Sequence, residues 1–186
     1  MIDFDTSAFS NTNALPARIL KLRAQCALKR YPAALSSISA SEASSTPDLA
    51  AARILATYLQ SPSPTSSALT EAESLAEKNG DNLSVQLLCG TVLADAERHE
   101  QALALLSRHQ GSLDAVALIV QIHLAMNRAD LAAKEARSAR GFAQDALVVN
   151  LAEAWVGVRE VSCHHISCVR DTREARRLAT ATHYDG

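Results

Sequence analysis

The feature that most constrains this chain is an internal repeat with a period of about 31 residues. Single glycines stand at positions 80, 111 and 141, spaced 31 and 30 residues apart. After each glycine, apolar residues recur at three equivalent positions, 31 residues apart from one repeat to the next. We call each set of equivalent positions a column. The three columns are Val85, Val116 and Leu147; Cys89, Val120 and Leu151; and Leu93, Leu124 and Trp155. Within each repeat the spacing is i, i+4 and i+8, which places the three residues on one face of a helix.

A second helical stretch follows in two of the repeats, at residues 99–109 and 128–140. Each stretch carries a small residue, Ala102 or Ala132, where two helices need to approach closely. One such helix pair cannot bury its own apolar stripe, whereas stacked neighbours can. The repeat therefore predicts an all-α fold, an α-solenoid of helix pairs. Around Gly90, the order of a small residue, Leu93, Ala102 and Leu106 is typical of tetratricopeptide repeats.

Composition agrees with this prediction. The chain has 35 alanines and 24 leucines against 6 glycines, and aromatic residues make up only 4%. Alanine and leucine are the residues most easily accommodated in helices, and the shortage of β-branched and aromatic residues argues against an all-β fold. A net charge of −2 does not favour a broad nucleic-acid surface. Four scattered cysteines and an opening without a signal-peptide pattern favour a cytosolic protein.

The residues before the repeats also predict helices, separated by prolines and serines. The chain divides into a flexible lead-in at residues 1–13, a solenoid at 14–157 and an irregular tail at 158–186. The predicted helices of the first half run from Pro16 to Arg30, from Tyr31-Pro32 into the serine-rich stretch 41–46, from Pro47 to about Gln60, and from the breaker Ser61-Pro62-Ser63-Pro64 to a stop at Asn79-Gly80.

The tail differs from the repeats in composition. Gly157 is expected to stop the helix that carries Trp155, and the residues beyond it hold three of the six histidines and two of the four cysteines. The stretch from Cys163 to Cys168 contains the ligand types that zinc prefers. Its adjacent histidines can hardly reach one ion on a regular backbone, so we interpret the cluster as accidental and predict no metal site.

No motif in the chain supports catalysis. No serine stands in a Gly-x-Ser-x-Gly elbow, and the glycines are single rather than gathered in a phosphate-binding loop. Cys26 and Cys89 lie on apolar helix faces and are expected to be buried core residues. His123 is expected to be a half-buried histidine rather than a base. We therefore predict a protein that is not an enzyme and has no catalytic, cofactor or metal site.

The predicted function is that of a binding scaffold. On the tetratricopeptide alignment, a partner-binding groove would include Ser84, Leu87, Thr91, Ala117 and Gln121. An alternative is a chaperone-type adaptor that clamps a peptide carboxylate, which would need inward lysine, arginine and asparagine residues. Leu87, Thr91, Ala117 and Gln121 do not supply them, so this alternative is disfavoured. A small metal-binding or redox protein that uses the tail cluster is a third hypothesis.

The repeat segment also resembles a known family, the epsilon subunits of coatomer, and looks closest to their fungal form. The stretches that carry the resemblance are Gly80-Asp81-Asn82, residues 104–112, residues 115–124, residues 127–132 and residues 147–157, together with residues 2–6 and 14–20 upstream. The resemblance covers residues 2–157 and stops where the composition shifts.

The resemblance implies a tetratricopeptide-like solenoid in the COPI vesicle coat, without catalytic activity or cofactor. It implies binding to the C-terminal domain of the alpha coatomer subunit, and a role in retrograde Golgi-to-endoplasmic-reticulum and intra-Golgi transport. Such a protein is cytoplasmic and reaches Golgi membranes and COPI vesicles only through the coat. Members of the family extend further at both ends, so we expect a truncated chain with an exposed apolar face after Trp155 and a tendency to self-associate. A non-functional truncated product is a further alternative.

Overall fold

The computed structural model describes residues 11–63 and 66–160, and the regular structure of these residues is entirely helical. The all-α prediction is therefore confirmed. The described residues form two compact units that divide within one helix, after Leu118. The helices are α1 Asn11–Ala27, α2 Tyr31–Ser36, α3 Ala40–Ser45, α4 Pro47–Gln60, α5 Ser67–Asn79, α6 Leu83–Asp95, α7 His99–Leu106, α8 Leu113–Ala125, α9 Ala129–Arg140 and α10, residues 147–160.

Three helix pairs share one kind of turn. After α1, α6 and α8, a residue with positive φ is followed by an arginine; the three residues are Lys29 (57°), Glu97 (61°) and Asn127 (59°). In each turn the arginine N–H donates to a carbonyl five residues earlier. The three bonds join Arg30 to Gln25 at 2.9 Å, Arg98 to Leu93 at 2.8 Å and Arg128 to His123 at 2.8 Å. This is the Schellman arrangement, so α1–α2, α6–α7 and α8–α9 are copies of one helical hairpin.

The repeated glycines lie between the hairpins rather than within them. Only Gly111, with φ of 77°, needs the left-handed conformation that glycine adopts readily. α5 ends at Asn79 as predicted, but Gly80 has right-handed angles, with φ of −62° and ψ of −12°. A side chain is excluded at Gly80 for another reason. A Cβ there would lie 2.6 Å from Nη1 of Arg108 and 2.8 Å from the carbonyl oxygen of Ala76.

The core of the first unit is built around α4 and α6. α4 contacts α1, α2, α3, α5 and α6, and α6 also packs on α5 and α7. α6 is therefore buried on most sides, through Val85, Gln86, Leu88, Cys89, Gly90, Val92 and Leu93. The buried amide of Gln86 is satisfied because its Nε2 donates to the Gly80 carbonyl at 2.8 Å.

The small-and-large pattern of the tetratricopeptide repeat has a direct physical cause in this unit. A Cβ on Gly90 would lie 3.3 Å from Cγ of Leu106, so α6 and α7 meet at a point where only a small residue fits easily. Leu93, Ala102 and Leu106 are fully buried, as the pattern predicts. The alternation of small and large residues therefore sets how closely the two helices of a hairpin approach.

The second unit contains the end of α8 together with α9 and α10. The buried residues of α9 are all alanines, at positions 132, 133, 136 and 139. The buried residues of α10 are Val149, Ala152 and Val156, which lie on one face at i, i+3 and i+7. At the surface, Arg140 Nη1 approaches Glu153 Oε2 at 2.8 Å and links the end of α9 to α10.

Several predicted boundaries were wrong. α1 already includes Asn11, the first residue that the structure describes, so Pro16 lies inside the helix rather than at its start. Pro16 lacks one backbone N–H, and the helix continues through it. α1 ends at Ala27 rather than Arg30, because the left-handed residue Lys29 reverses the chain there. Gly157 does not stop α10, which continues to residue 160.

The second predicted helix is in fact two short helices, α2 and α3. The hydroxyl of Ser37 donates to the Ala34 carbonyl at 2.7 Å, and Ser39 is extended, with ψ of 154°. Ser39 then begins α3 with a capping box, in which its side chain accepts from the Glu42 N–H and the Glu42 side chain accepts from the Ser39 N–H. Serine side chains that bond to the nearby backbone compete with a continuous helix.

Candidate functional site

Three of the predicted groove residues, Ser84, Leu87 and Thr91, follow one another along α6. Their spacing of i, i+3 and i+7 puts them on a single stripe of the helix. Ser84 and Leu87 are half-buried, and Thr91 is exposed. Since most other faces of α6 are covered, this stripe is the part of the helix that a partner can reach.

An open cavity of about 360 Å³ lies along the first part of this stripe. One wall is α1, which contributes Leu15, Pro16, Ile19, Leu20 and Arg23. The rest of the lining comes from α4, α6 and the start of α8, through Asp48, Leu83, Ser84, Leu87, Leu88, Ser112 and Asp114. We call this set of residues the α1–α6 groove. Six of its twelve lining residues are leucine or isoleucine, so it suits an apolar side chain of a partner.

The polar groups of the groove are partly engaged within the chain. The amide Nδ2 of Asn82 donates to Oδ2 of Asp48 at 2.9 Å. The amide oxygen of Asn82 accepts from the N–H groups of Ser84 at 2.8 Å and Val85 at 3.2 Å, and so caps α6. Asn82 therefore fixes the start of α6 relative to α4, and with it the position of the groove.

An ion pair joins two sides of the α1–α6 groove. Nη1 of Arg23, on α1, lies 3.1 Å from Oδ2 of Asp114, in the first turn of α8. The two side chains are 40% and 48% exposed, so the pair contributes little to stability. With Arg23 paired to Asp114, the remaining carboxylate of the lining is Asp48, which leaves the groove weakly acidic.

α1 is held in place by a second, more elaborate contact. Nη1 of Arg18 donates to Oε1 of Glu42 at 2.7 Å, and its Nη2 donates to the Ser37 carbonyl at 2.7 Å. Glu42 also accepts from the hydroxyl of Ser39 at 2.7 Å. The hydrogen bonds from Arg18 and then from Ser39 lower the pKa of Glu42 to about 2. Arg18 thus ties α1 to the α2–α3 connection and orients the wall of the groove.

The structure brings together only part of the predicted site. Ser84 and Leu87 line the α1–α6 groove, whereas Thr91, Ala117 and Gln121 lie outside its lining. Thr91 uses its hydroxyl within its own helix, by donating to the Leu87 carbonyl at 2.7 Å. Ala117 is half-buried on α8, and Gln121 is exposed.

Sequence reasoning missed the residues that α1 supplies. The spacing of Leu15, Ile19 and Leu22 indicates an amphipathic α1, but Leu20 lies off that buried face and looks like an ordinary surface residue. Arg23 and Asp114 are 91 positions apart, so no local pattern connects them. The contribution of α1 to the groove is a property of the folded chain.

Cys26, Cys89 and His123, whose burial the sequence predicts, are placed as expected. Cys26 and Cys89 are buried free thiols, and burial raises the pKa of Cys89 to about 12. A thiol of that kind is rarely ionised and therefore a poor nucleophile. His123 is half-buried, and its burial lowers its pKa.

The predicted tail cluster, Cys163 to Cys168, lies outside the described residues. Within residues 11–63 and 66–160, no group of three or more His, Cys, Asp or Glu side chains could hold a metal ion. In the same part of the chain, no helix is both long and apolar enough to cross a membrane.

Helical hairpins that share one turn geometry, a small residue at the α6–α7 crossing and an open groove along α6 are together typical of a tetratricopeptide-like protein of the solenoid class. The chain belongs to the coatomer epsilon subunit family, whose sequence model matches residues 1–166. The match extends beyond residue 157, where the composition shift had suggested an end to the resemblance.

Individual relatives agree with this assignment. Coatomer subunit epsilon-1 of Arabidopsis thaliana is 36% identical over 138 residues, which cover 73% of this chain and 46% of the relative. Coatomer subunit epsilon-2 of the same plant is 32% identical over 154 residues, covering 80% of this chain and 50% of the relative. Coatomer subunit epsilon-1 of Oryza sativa subsp. japonica is 31% identical over 137 residues, covering 73% and 46%. The chain thus spans about half the length of these relatives. All three are plant proteins, so the likeness to the fungal form stays a prediction.

Proposed function

We propose that this chain is a non-catalytic structural subunit of the COPI vesicle coat that binds the C-terminal domain of the alpha coatomer subunit. In this role it acts in retrograde Golgi-to-endoplasmic-reticulum and intra-Golgi transport. It is cytoplasmic and associates with Golgi membranes and coated vesicles through the coat. Membership of the coatomer epsilon family supports the class of function. The observation that carries the binding mode is the α1–α6 groove, an open apolar site on a helical scaffold.

The test is binding of the whole chain to the alpha coatomer C-terminal domain of the same organism, measured by titration calorimetry. A full-length epsilon subunit is titrated in parallel as the positive control. A one-to-one complex with this chain supports the proposal. If the full-length subunit binds and this chain does not, residues beyond this chain are required and the chain is not sufficient for coat function.

A matched pair of leucines tests the groove itself. Leu20 lines the groove and is 62% exposed, whereas Leu28 is 66% exposed and lies outside the lining. We expect Leu20→Arg to weaken binding by about tenfold to a hundredfold, because covering a leucine contributes about 1.5–3 kcal/mol. Leu28→Arg should leave the affinity unchanged. Equal effects of the two substitutions would place the binding surface elsewhere.

The chaperone-type adaptor receives no support from the groove. A clamp for a carboxylate needs several cationic or amide groups directed at it. The cation of the lining, Arg23, is paired with Asp114, and Asp48 would repel a carboxylate. A peptide with a free C-terminal carboxylate should therefore bind no better than its amidated form.

A further inference from the structure

The connection from α4 to α5 begins differently from the turns of the other hairpins. Its sequence contains no arginine, and it starts with Ser61-Pro62 directly after the last residue of α4. Both residues are exposed. Ser61 has φ of −145° and ψ of 77°, which is outside the helical region. The proline enforces this, because the residue before a proline is disfavoured in the helical conformation.

We propose that Ser61 is a phosphorylation site for a proline-directed serine/threonine kinase. Such kinases accept a hydroxyl residue followed directly by proline, on a segment that is accessible and not helical. The Ser61 hydroxyl oxygen attacks the γ-phosphorus of ATP, the bond from that phosphorus to the β–γ bridging oxygen breaks, and ADP leaves. The hydroxyl proton passes to the catalytic aspartate of the kinase. The proposal does not depend on the coat function.

The chain contains an internal control for this proposal, at the opposite end of α4. Thr46-Pro47 has the same two-residue motif and an extended threonine, with φ of −125° and ψ of 112°. However, Thr46 is half-buried and stands between the last residue of α3, Ser45, and the first residue of α4. A kinase would have to unwind helix on both sides to bind it. The fold therefore distinguishes two sites that the motif alone does not.

A phosphate on Ser61 would act on the C-terminal end of α4. Ser61 is the C-cap residue, and its N–H donates to the Tyr58 carbonyl at 3.1 Å. The end of a helix already carries partial negative charge, so about two added negative charges are unfavourable there. Burial and then the nearby Asp95 carboxylate raise the pKa of Tyr58, which lies in this last turn of α4. Phosphorylation should therefore loosen the last turn of α4.

The first test is phosphorylation of the folded chain by a purified cyclin-dependent kinase and a purified mitogen-activated kinase, each with MgATP. Peptide mass mapping identifies the modified residue and separates Ser61 from Ser63. We expect incorporation at Ser61 that is lost in Ser61→Ala and retained in Thr46→Ala. In the chemically unfolded and diluted chain, Thr46 should become a substrate as well. The proposal is overturned if neither kinase modifies Ser61, or if Thr46 is modified at a comparable rate in the folded chain.

The second test measures the consequence of the modification. The melting temperature of the phosphorylated chain should be lower by about 1–4 °C, from the usual size of a helix-end charge effect. The Ser61→Ala chain, treated with kinase and MgATP in the same way, should show no shift. An unchanged or higher melting temperature after stoichiometric phosphorylation of Ser61 would contradict the effect on α4.

Discussion

α6 and α10 carry the same three columns of the 31-residue repeat, but the two helices bury them to very different extents. On α6, Val85, Cys89 and Leu93 are fully buried. On α10, the corresponding Leu147, Leu151 and Trp155 are 71%, 45% and 39% exposed. α10 is nevertheless a packed helix, because its opposite face buries Val149, Ala152 and Val156.

The difference shows what the repeated pattern encodes. α6 packs on α4, α5 and α7, so it has neighbours for both of its apolar faces. α10 presents its column face to solvent within the part of the chain that the structure describes. A column residue is therefore a position suited to a neighbouring helix, and its burial follows only when that neighbour is present. Self-association through the exposed column face stays a prediction, which sedimentation over a range of concentrations would test.

The largest expected effect is on the free energy of unfolding, when the residue at the same column position is replaced by alanine in α6 and in α10. Leu93→Ala should lower the free energy of unfolding by about 2–5 kcal/mol, because it leaves a cavity in a closely packed core. Trp155→Ala removes a larger side chain but one that is partly solvated, so its effect should stay below about 1 kcal/mol. Urea unfolding followed by circular dichroism measures both values.

The two substitutions are mutual controls, since they occupy equivalent positions of the repeat. If Trp155→Ala destabilises the chain as much as Leu93→Ala, the column face of α10 is covered in solution, and α10 does not differ from α6. A concentration-dependent effect of Trp155→Ala would identify another copy of the chain as the cover.

The sequence was sufficient for the fold class because the repeat and the composition both point to helix pairs. The bounds of α4 are those predicted, since Pro47 and Ser61-Pro62 are strong local signals. The turns of the hairpins were not predictable in the same way. Lys29 and Glu97 adopt positive φ without being glycine or asparagine, so the composition of the turn does not reveal its conformation.

The groove was predictable only in part, and for a related reason. Ser84 and Leu87 follow from helical periodicity along α6, which is local information. The wall that α1 provides depends on contacts such as Arg18 with Glu42, 24 residues apart. Local periodicity cannot supply such pairings, because they arise when separate helices are brought together in the folded chain.

A second comparison of the two units concerns one glycine in each. Replacing them with alanine should change the stability of the chain in opposite directions, by amounts between those of the other two comparisons. Gly80→Ala should destabilise the chain by about 1–3 kcal/mol, because the new Cβ overlaps the Arg108 guanidinium and the Ala76 carbonyl. A Cβ on Gly157, within α10, would have no atom within 4 Å apart from its chain neighbours and the backbone of its own helix. Gly157→Ala should stabilise the chain by about 0.5–1 kcal/mol, the usual gain for alanine over glycine in a helix.

Thermal unfolding of the two variants beside the parent chain checks this comparison. The double substitution Gly80→Ala with Arg108→Ala removes the side-chain part of the overlap and should recover some of the lost stability. A stabilising Gly80→Ala would mean that Arg108 does not occupy the space next to Gly80 in solution.

The smallest expected effect is on the pH dependence of stability. It compares a long-range ion pair in the first unit, Arg18 with Glu42, with a local one in the second, Arg128 with Asp130. Glu42 and Asp130 both have a pKa lowered to about 2, by hydrogen bonds from Arg18 and Arg128 respectively. Since the folded-state pKa of Glu42 lies below its ordinary value of 4.5, its stabilisation is present above that pH and is lost as the pH falls toward 2. Glu42→Gln should therefore flatten the fall in the free energy of unfolding between about pH 4.5 and pH 2.

Asp130→Asn should change the pH dependence of the free energy of unfolding much less than Glu42→Gln does. This holds although the pKa of Asp130, like that of Glu42, is lowered to about 2. Arg128 is only two residues away, with its Nη2 2.9 Å from Oδ2 of Asp130, so the unfolded chain retains part of the same attraction. Arg18 is 24 residues from Glu42 and meets it only in the folded chain. Linkage depends on the difference between the folded and unfolded pKa values, and that difference is larger for the long-range pair. Urea titrations at several pH values measure the two slopes, and equal slopes would show that Arg18 does not hold Glu42 in the folded chain.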